Sequence, residues 1–196
     1  MEKQTLIVNL FGGPGTGKST LCADIFAKLK WKNINCEMAL EFAKDKVWEE
    51  SFKVLDNQIY IFGKQLHRIH RLNKKVDVVI TDSPLLLSIV YDKSKSRAFK
   101  ELVIEKHNSF NNVNIFLKRV KAYQSAGRMQ DEDGAKDLDH TIHMMLMENA
   151  IPHSKFDATQ DNVQDIIDLI LRELYPIDYL NEVINKFDET KQQKST

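Results

Sequence analysis

Residues 12–20 read Gly12-Gly13-Pro14-Gly15-Thr16-Gly17-Lys18-Ser19-Thr20 and fit the pattern G-x-x-x-x-G-K-[ST]. No other stretch of the chain limits its fold so strongly. Four of the seven glycines fall in these six positions, 12 to 17. Glycine lets successive backbone N–H groups curl around an anion without Cβ clashes. The lysine ammonium then reaches the β and γ phosphates, the Ser19 hydroxyl ligates Mg2+, and the next helix aims its positive end at the phosphates. Such a loop needs a strand before it and a helix after it. Thr5–Leu10 is a short apolar run, and Leu21, Ile25 and Leu29 recur every fourth residue within Lys18–Lys30. The expected ligand is a nucleoside triphosphate with Mg2+.

A chain of 196 residues predicts one domain, and it buries about 70% of its unfolded surface, enough to fold without disulfides or a structural metal. Twenty-eight basic and 28 acidic residues exclude a polycation that coats nucleic acid by bulk charge, though not a local basic groove. Two cysteines, Cys22 and Cys36, exclude a disulfide scaffold and suit a reducing compartment. No apolar run approaches the roughly 20 residues that span a bilayer. The N-terminal apolar stretch runs into Gly12-Gly13, so it reads as a strand and not a signal peptide. The expected location is the cytoplasm, or a host cytoplasm for a viral gene.

Strand and helix patterns alternate. Strands are expected at Ile34–Leu40, Val76–Ile80, Val113–Leu117 and His153–Ala158. Helices are expected at Leu55–Leu72, Pro84–Val90, Phe99–Phe110, Ala135–Ala150 and Val163–Leu174. Alternation of this kind predicts an α/β fold with a mostly parallel sheet. The domain is expected to cover 1–175, with a C-terminal helix and frayed tail over 176–196. Beyond Pro176, Leu180, Val183, Ile184 and Phe187 fall on one helical face that packs on its own domain or a partner. The polar end Thr190–Thr196 is expected to fray.

Three further features carry chemistry. Asp82, in Val78-Val79-Ile80-Thr81-Asp82-Ser83-Pro84, stands at the carboxyl end of a buried strand, where parallel sheets bind ligands. A carboxylate there holds Mg2+ or accepts the proton of an attacking hydroxyl. Ser83 is free to cap the helix that begins near Pro84. Glu41 ends the second apolar run. If that strand lies two positions from the phosphate-loop strand, its tip is roughly 10 Å away at ~4.8 Å per neighbour, which suits an acceptor group better than a metal. After Val113–Leu117 come Lys118, Arg119, Lys121 and Arg128. Arg119 and Arg128 are candidates for lid cations that stabilise charge on a transferred phosphoryl group. Asp131-Glu132-Asp133 then opens the next helix at its favourable end. No glutamate follows Asp82, and Asn73-Lys74-Lys75-Val76 lacks the final aspartate of a guanine-reading motif. Both absences favour transfer to a hydroxyl over hydrolysis.

Together, Asn9–Thr20, Glu41-Phe42-Ala43-Lys44-Asp45, Asp56-Asn57-Gln58, Ile80–Leu87, Arg119–Tyr123 and Gly127-Arg128 resemble small P-loop kinases carried by many bacteriophages. That group is similar to thymidylate kinases and ribosylnicotinamide kinases and includes 5-hydroxymethyluracil DNA kinases. The likeness spans roughly residues 4–170. It implies a three-layer fold whose five-stranded parallel sheet has the order 2-3-1-4-5, with ATP and Mg2+ at the phosphate loop and a lid after strand four. Lys18 and Ser19 carry over by motif, Asp82 as the strand-three carboxylate, and Arg119 and Arg128 as lid cations. Adenine contacts would fall around Asp157–Gln160. Asp82 is followed by Ser-Pro and not by the Arg common in nucleoside-monophosphate kinases, which weakens the case for a free monophosphate.

The acceptor is expected to be nucleoside-like. 5-Hydroxymethyluracil within DNA leads, ahead of a free nucleoside, a nucleotide or ribosylnicotinamide. A regulatory nucleotide hydrolase without a small-molecule acceptor is the alternative of a different class. Lys64, His67, Arg68, His70, Arg71, Lys74 and Lys75, then Lys93, Lys95, Arg97 and Lys100, are either a track for DNA phosphates or solvated faces. Tyr60, Phe62 and Tyr91 are base-stacking or core candidates. His140 and His143, with Asp137 and Asp139, have a zinc-like spacing that is more commonly a helix-surface cluster. No feature indicates the oligomeric state.

Overall fold

The computed structural model describes residues 4–120 and 131–175. Five parallel strands form one sheet in the order β2-β3-β1-β4-β5: β1 (Leu6–Phe11), β2 (Cys36–Met38), β3 (Val78–Thr81), β4 (Asn111–Lys118) and β5 (Ser154–Asp157). This is the expected α/β architecture and strand order. Of the two expected lid cations Arg119 is described, whereas Arg128, within 121–130, and the segment from 176 onward lie outside the described residues.

Side chains alternate across the sheet, and the two faces gather two cores. Leu6, Val8 and Leu10 of β1, with Val78, Ile80, Ile115 and Leu117, pack under α1 (Lys18–Trp31) and α8 (Val163–Leu174). Ile7, Phe11, Val79 and Phe116 face the other way. They lie under α4 (Gln58–His70), α5 (Leu87–Tyr91), α6 (Arg97–Asn108) and α7 (Glu132–Glu148). In α8, Val163, Ile166, Ile167 and Ile170 form a fully buried stripe at i, i+3, i+4, i+7, each side chain contributing about 1.5–3 kcal/mol. The central strand is buried at every position, which explains its near-continuous apolar reading.

Asn9 is the polar exception in β1. Its Nδ2 donates to Oδ1 of Asn112 at 2.9 Å and of Asn114 at 3.0 Å. Asn114 Nδ2 donates onward to the Pro152 carbonyl at 3.0 Å. A buried amide satisfied on both sides ties β1 to β4 and the approach to β5.

Some boundaries differ from expectation. The helix expected over Leu55–Leu72 is two, α3 (Phe52–Leu55) and α4. The break falls at Asn57, whose side chain accepts from the Tyr60 N–H at 3.1 Å and so caps a new helix. A further helix, α2 (Phe42–Trp48), follows β2. The helix expected at Pro84 starts at Leu87, capped by no side chain. Ser83 therefore does not cap it; its N–H donates to Thr81 Oγ1 instead.

Candidate functional site

β1 delivers the chain into the glycine-rich loop at the carboxyl edge of the sheet. Gly15 and Gly17 have φ of 77° and 107°, backbone that an L side chain adopts only under strain. Thr16 Oγ1 donates to the Gly13 carbonyl at 2.6 Å and closes the turn. Lys18 opens α1, and its Nζ donates to the carbonyls of Gly12 and Gly13 at 2.7 and 2.9 Å. Burial holds the lysine below its ordinary pKa, opposed by the negative charges of Glu41, Asp82 and Asp139.

Asp82 follows β3 and is buried. Its Oδ2 accepts from Ser19 Oγ at 2.6 Å, and its Oδ1 accepts from the Glu41 N–H at 3.0 Å. The two residues read from sequence as metal candidates are therefore in direct contact. A hydroxyl beside a carboxylate is a hard-oxygen donor pair, which fits a magnesium ion that keeps most of its waters.

Glu41 reaches this pair from β2, the strand next to β3. β2 is two positions from β1 as assumed. Past Met38, however, the chain folds in over β3: Ala39 N–H donates to Ile80 O at 2.9 Å, and Thr81 Oγ1 donates to Ala39 O at 2.7 Å. Gln65, buried on α4, accepts from the Phe42 N–H at 3.0 Å and fixes the corner from outside. Glu41 thus makes a backbone contact with Asp82 after the neighbouring strand β3, while β2 itself stays two strands from β1. Burial pushes the Glu41 carboxyl up, Lys18 draws it down, and Asp82 raises it again. Tyr91, at the end of α5, joins them: burial raises its phenol, and Glu41 and Asp139 add to that shift.

β4 ends one residue before Arg119, whose Nε donates to Asp139 Oδ2 at 2.9 Å. Asp139 Oδ1 accepts from the Gly13 N–H at 2.5 Å. Asp139 was visible from sequence only as part of a polar cluster. The missed signal is its register: it stands on the face of α7 that buries Ala135, Ile142 and Leu146, a carboxylate within an apolar stripe. The zinc-like spacing leads elsewhere. Asp139 turns into the phosphate loop, while His143 packs against Phe116 and His153 at ring distances of 5.0 and 5.5 Å. No group of three metal-binding side chains occurs among the described residues.

Other candidates separate. Arg128 lies outside the described residues. Thr20 is exposed on α1. The loop after β5 borders the phosphate loop, with Ala158 beside Gly17 and its N–H donating to Lys118 O at 3.0 Å. Arg68 is committed to the Leu40 carbonyl at 2.9 Å and to Asp45. Phe62 is core, edge-on to Phe99. Tyr60 sits against Phe42, with Lys64 over its ring. An open groove of about 460 Å3 runs along Met38–Leu40, Phe42, Lys64, His67, Arg68 and Arg71. No helix among the described residues is long and apolar enough to cross a membrane.

A parallel sheet with this strand order, a glycine-rich loop feeding a helix, and a carboxylate bonded to the loop serine define a P-loop nucleotide-binding protein. The model of a family described as an AAA domain matches residues 7–162. The chain belongs to that family. No curated protein matches the sequence.

Proposed function

We propose that this chain is an ATP-dependent phosphotransferase that moves the γ-phosphoryl group to a hydroxyl of a nucleoside-like acceptor. The observation that carries the reading is Glu41. It is a half-buried carboxylate of raised pKa, placed by its own backbone against Asp82 and coupled to Lys18. A base with a raised pKa beside the phosphate loop suits removal of a hydroxyl proton near neutral pH. Ser83, where hydrolytic motors place a water-polarising glutamate, supports transfer over hydrolysis.

In this mechanism Glu41 takes the acceptor O–H proton as the acceptor oxygen bonds to the γ-phosphorus and the β–γ bridge bond breaks, releasing ADP. Lys18 and Arg119 neutralise charge on the phosphoryl oxygens. Ser19 and Asp82 would hold Mg2+, whose charge would offset that of the nucleotide phosphates. The loop 157–160 is the place for adenine. The groove carrying Lys64, His67 and Arg71 lies beside Met38–Phe42 and suits an anionic acceptor, with 5-hydroxymethyluracil in DNA the first to test.

The test is transfer from γ-labelled ATP with Mg2+, offering hydroxymethyluracil DNA, plain DNA, free nucleosides and monophosphates, and ribosylnicotinamide in parallel. Label in modified DNA alone supports the DNA-base acceptor, and label in a small molecule supports a metabolic kinase. Phosphate release with no labelled acceptor sinks the transferase reading in favour of a regulatory hydrolase. Lys18→Ala should abolish transfer. Asp82→Asn should retain ATP binding and lower transfer by at least ~100-fold.

A further inference from the structure

We infer that Asp139 is a positioning residue: it aims the Arg119 guanidinium at the terminal phosphoryl group and ties that aim to the shape of the phosphate loop. The inference rests on nucleotide binding at this loop and deepens the phosphotransferase reading. The two Asp139 oxygens serve different elements, Oδ2 taking Arg119 Nε after β4 and Oδ1 taking the Gly13 N–H. Arg119 Nη2 donates to Thr16 Oγ1 and to Ala135 O, each at 3.4 Å. A guanidinium is planar, so holding Nε and Nη2 also fixes the direction of Nη1.

Nη1 is buried and has no acceptor among the described residues. Buried donors are rarely left in that condition. A purely structural clasp would bind all its donors to protein. Here one donor stays in reserve beside a loop built for anions, where a nucleotide brings acceptor oxygens. The clasp is also sheltered. The Arg119 and Asp139 side chains are 11% and 17% exposed, so the pair is not one of the solvated surface bridges that contribute little. Gly13 reports the same close approach, because an added Cβ would lie 2.7 Å from both Ala135 O and Asp139 Oδ1.

Calorimetric titration with ATP·Mg2+ and ADP·Mg2+ tests this without any acceptor. Asp139→Asn keeps an oxygen for the Gly13 N–H and removes the charge that orients Arg119. It is expected to lower ATP affinity about tenfold, the scale of one charge-assisted hydrogen bond, and to leave ADP affinity within about twofold. Arg119→Ala should do the same, and the double variant should be no worse than the weaker single one. An unchanged ATP:ADP preference in Asp139→Asn, or additive losses, would overturn the inference. If Asp139→Asn unfolds, Arg119→Lys decides: it keeps the charge without the fork, so retention of the ATP preference overturns the inference and its loss supports it. Wild type that binds neither nucleotide removes both this inference and the proposed function. Normal ATP preference with no labelled acceptor removes the transferase reading alone.

Discussion

Lys18 and Glu41 feel each other's charge near Asp82, and burial works against the charge of each. The carboxylate bears on stability as well as chemistry. Its native pKa exceeds the unfolded value, so between the two the native state binds more protons, and stability falls as pH rises through that window. At neutral pH Glu41→Gln should therefore melt at or above the wild-type temperature while transfer drops at least ~100-fold. Wild-type rates should fall on acidification through the raised Glu41 pKa, and the residual rate of the variant should lack that limb; pH–rate profiles of both proteins check it. A variant that transfers normally would remove Glu41 from the mechanism. Lys18, Ser19 and Asp82 were legible because motif and strand end dictate their places. Asp139 was not, since its role depends on α7 docking across the loop, a contact 126 residues apart in sequence.

Glycine separates two kinds of helix contact. Gly13 has α7 against it, whereas Gly63, exposed in the middle of α4, has nothing within 4 Å of an added Cβ. Gly63→Ala should stabilise the protein by about 0.5–1 kcal/mol through helix propensity. Gly13→Ala should destabilise it by about 1–3 kcal/mol, the usual cost of overpacking, and weaken nucleotide binding. Urea unfolding of the two variants measures both, and equal effects would refute the distinction. A helix with a strong apolar stripe, such as α8, was readable from periodicity, and α1 from its buried residues Leu21, Ile25 and Leu29 recurring every fourth position. α2 and α3 were not, because they are short and bury little: Phe42 is the one buried residue in α2, and α3 has none. Their places follow from Gln65 and Asn57, polar groups whose roles exist only after folding.

Across the whole molecule, strand order was implied by family resemblance, while periodicity alone supplied only the alternation of strands and helices. The register between strands was not legible, because parallel partners are set by side chains far apart in sequence. One buried residue gives the fold an acid limit. His107, on the inner face of α6, has its pKa lowered to about 4 by burial. Between its unfolded value near 6.5 and that figure, the unfolded chain binds the extra proton, so stability falls as pH drops. The loss attributable to His107 is roughly 3 kcal/mol by pH 4. His107→Leu should flatten urea midpoints over that window, and an unchanged slope would dismiss the histidine as the cause. The asparagine link between β1 and β4 reaches further than the amides it satisfies. β1 ends in the phosphate loop and β4 in Arg119, and Asn9 lies directly opposite Asn114. A slip of two residues keeps every side chain on its own face, so the apolar pattern does not penalise it, yet it would carry Arg119 roughly 6–7 Å along the strand. Asn9 works as an alignment pin: a slip breaks its paired bonds to Asn112 and Asn114 and leaves a buried amide short of a partner, even where the oily interior would tolerate the mistake.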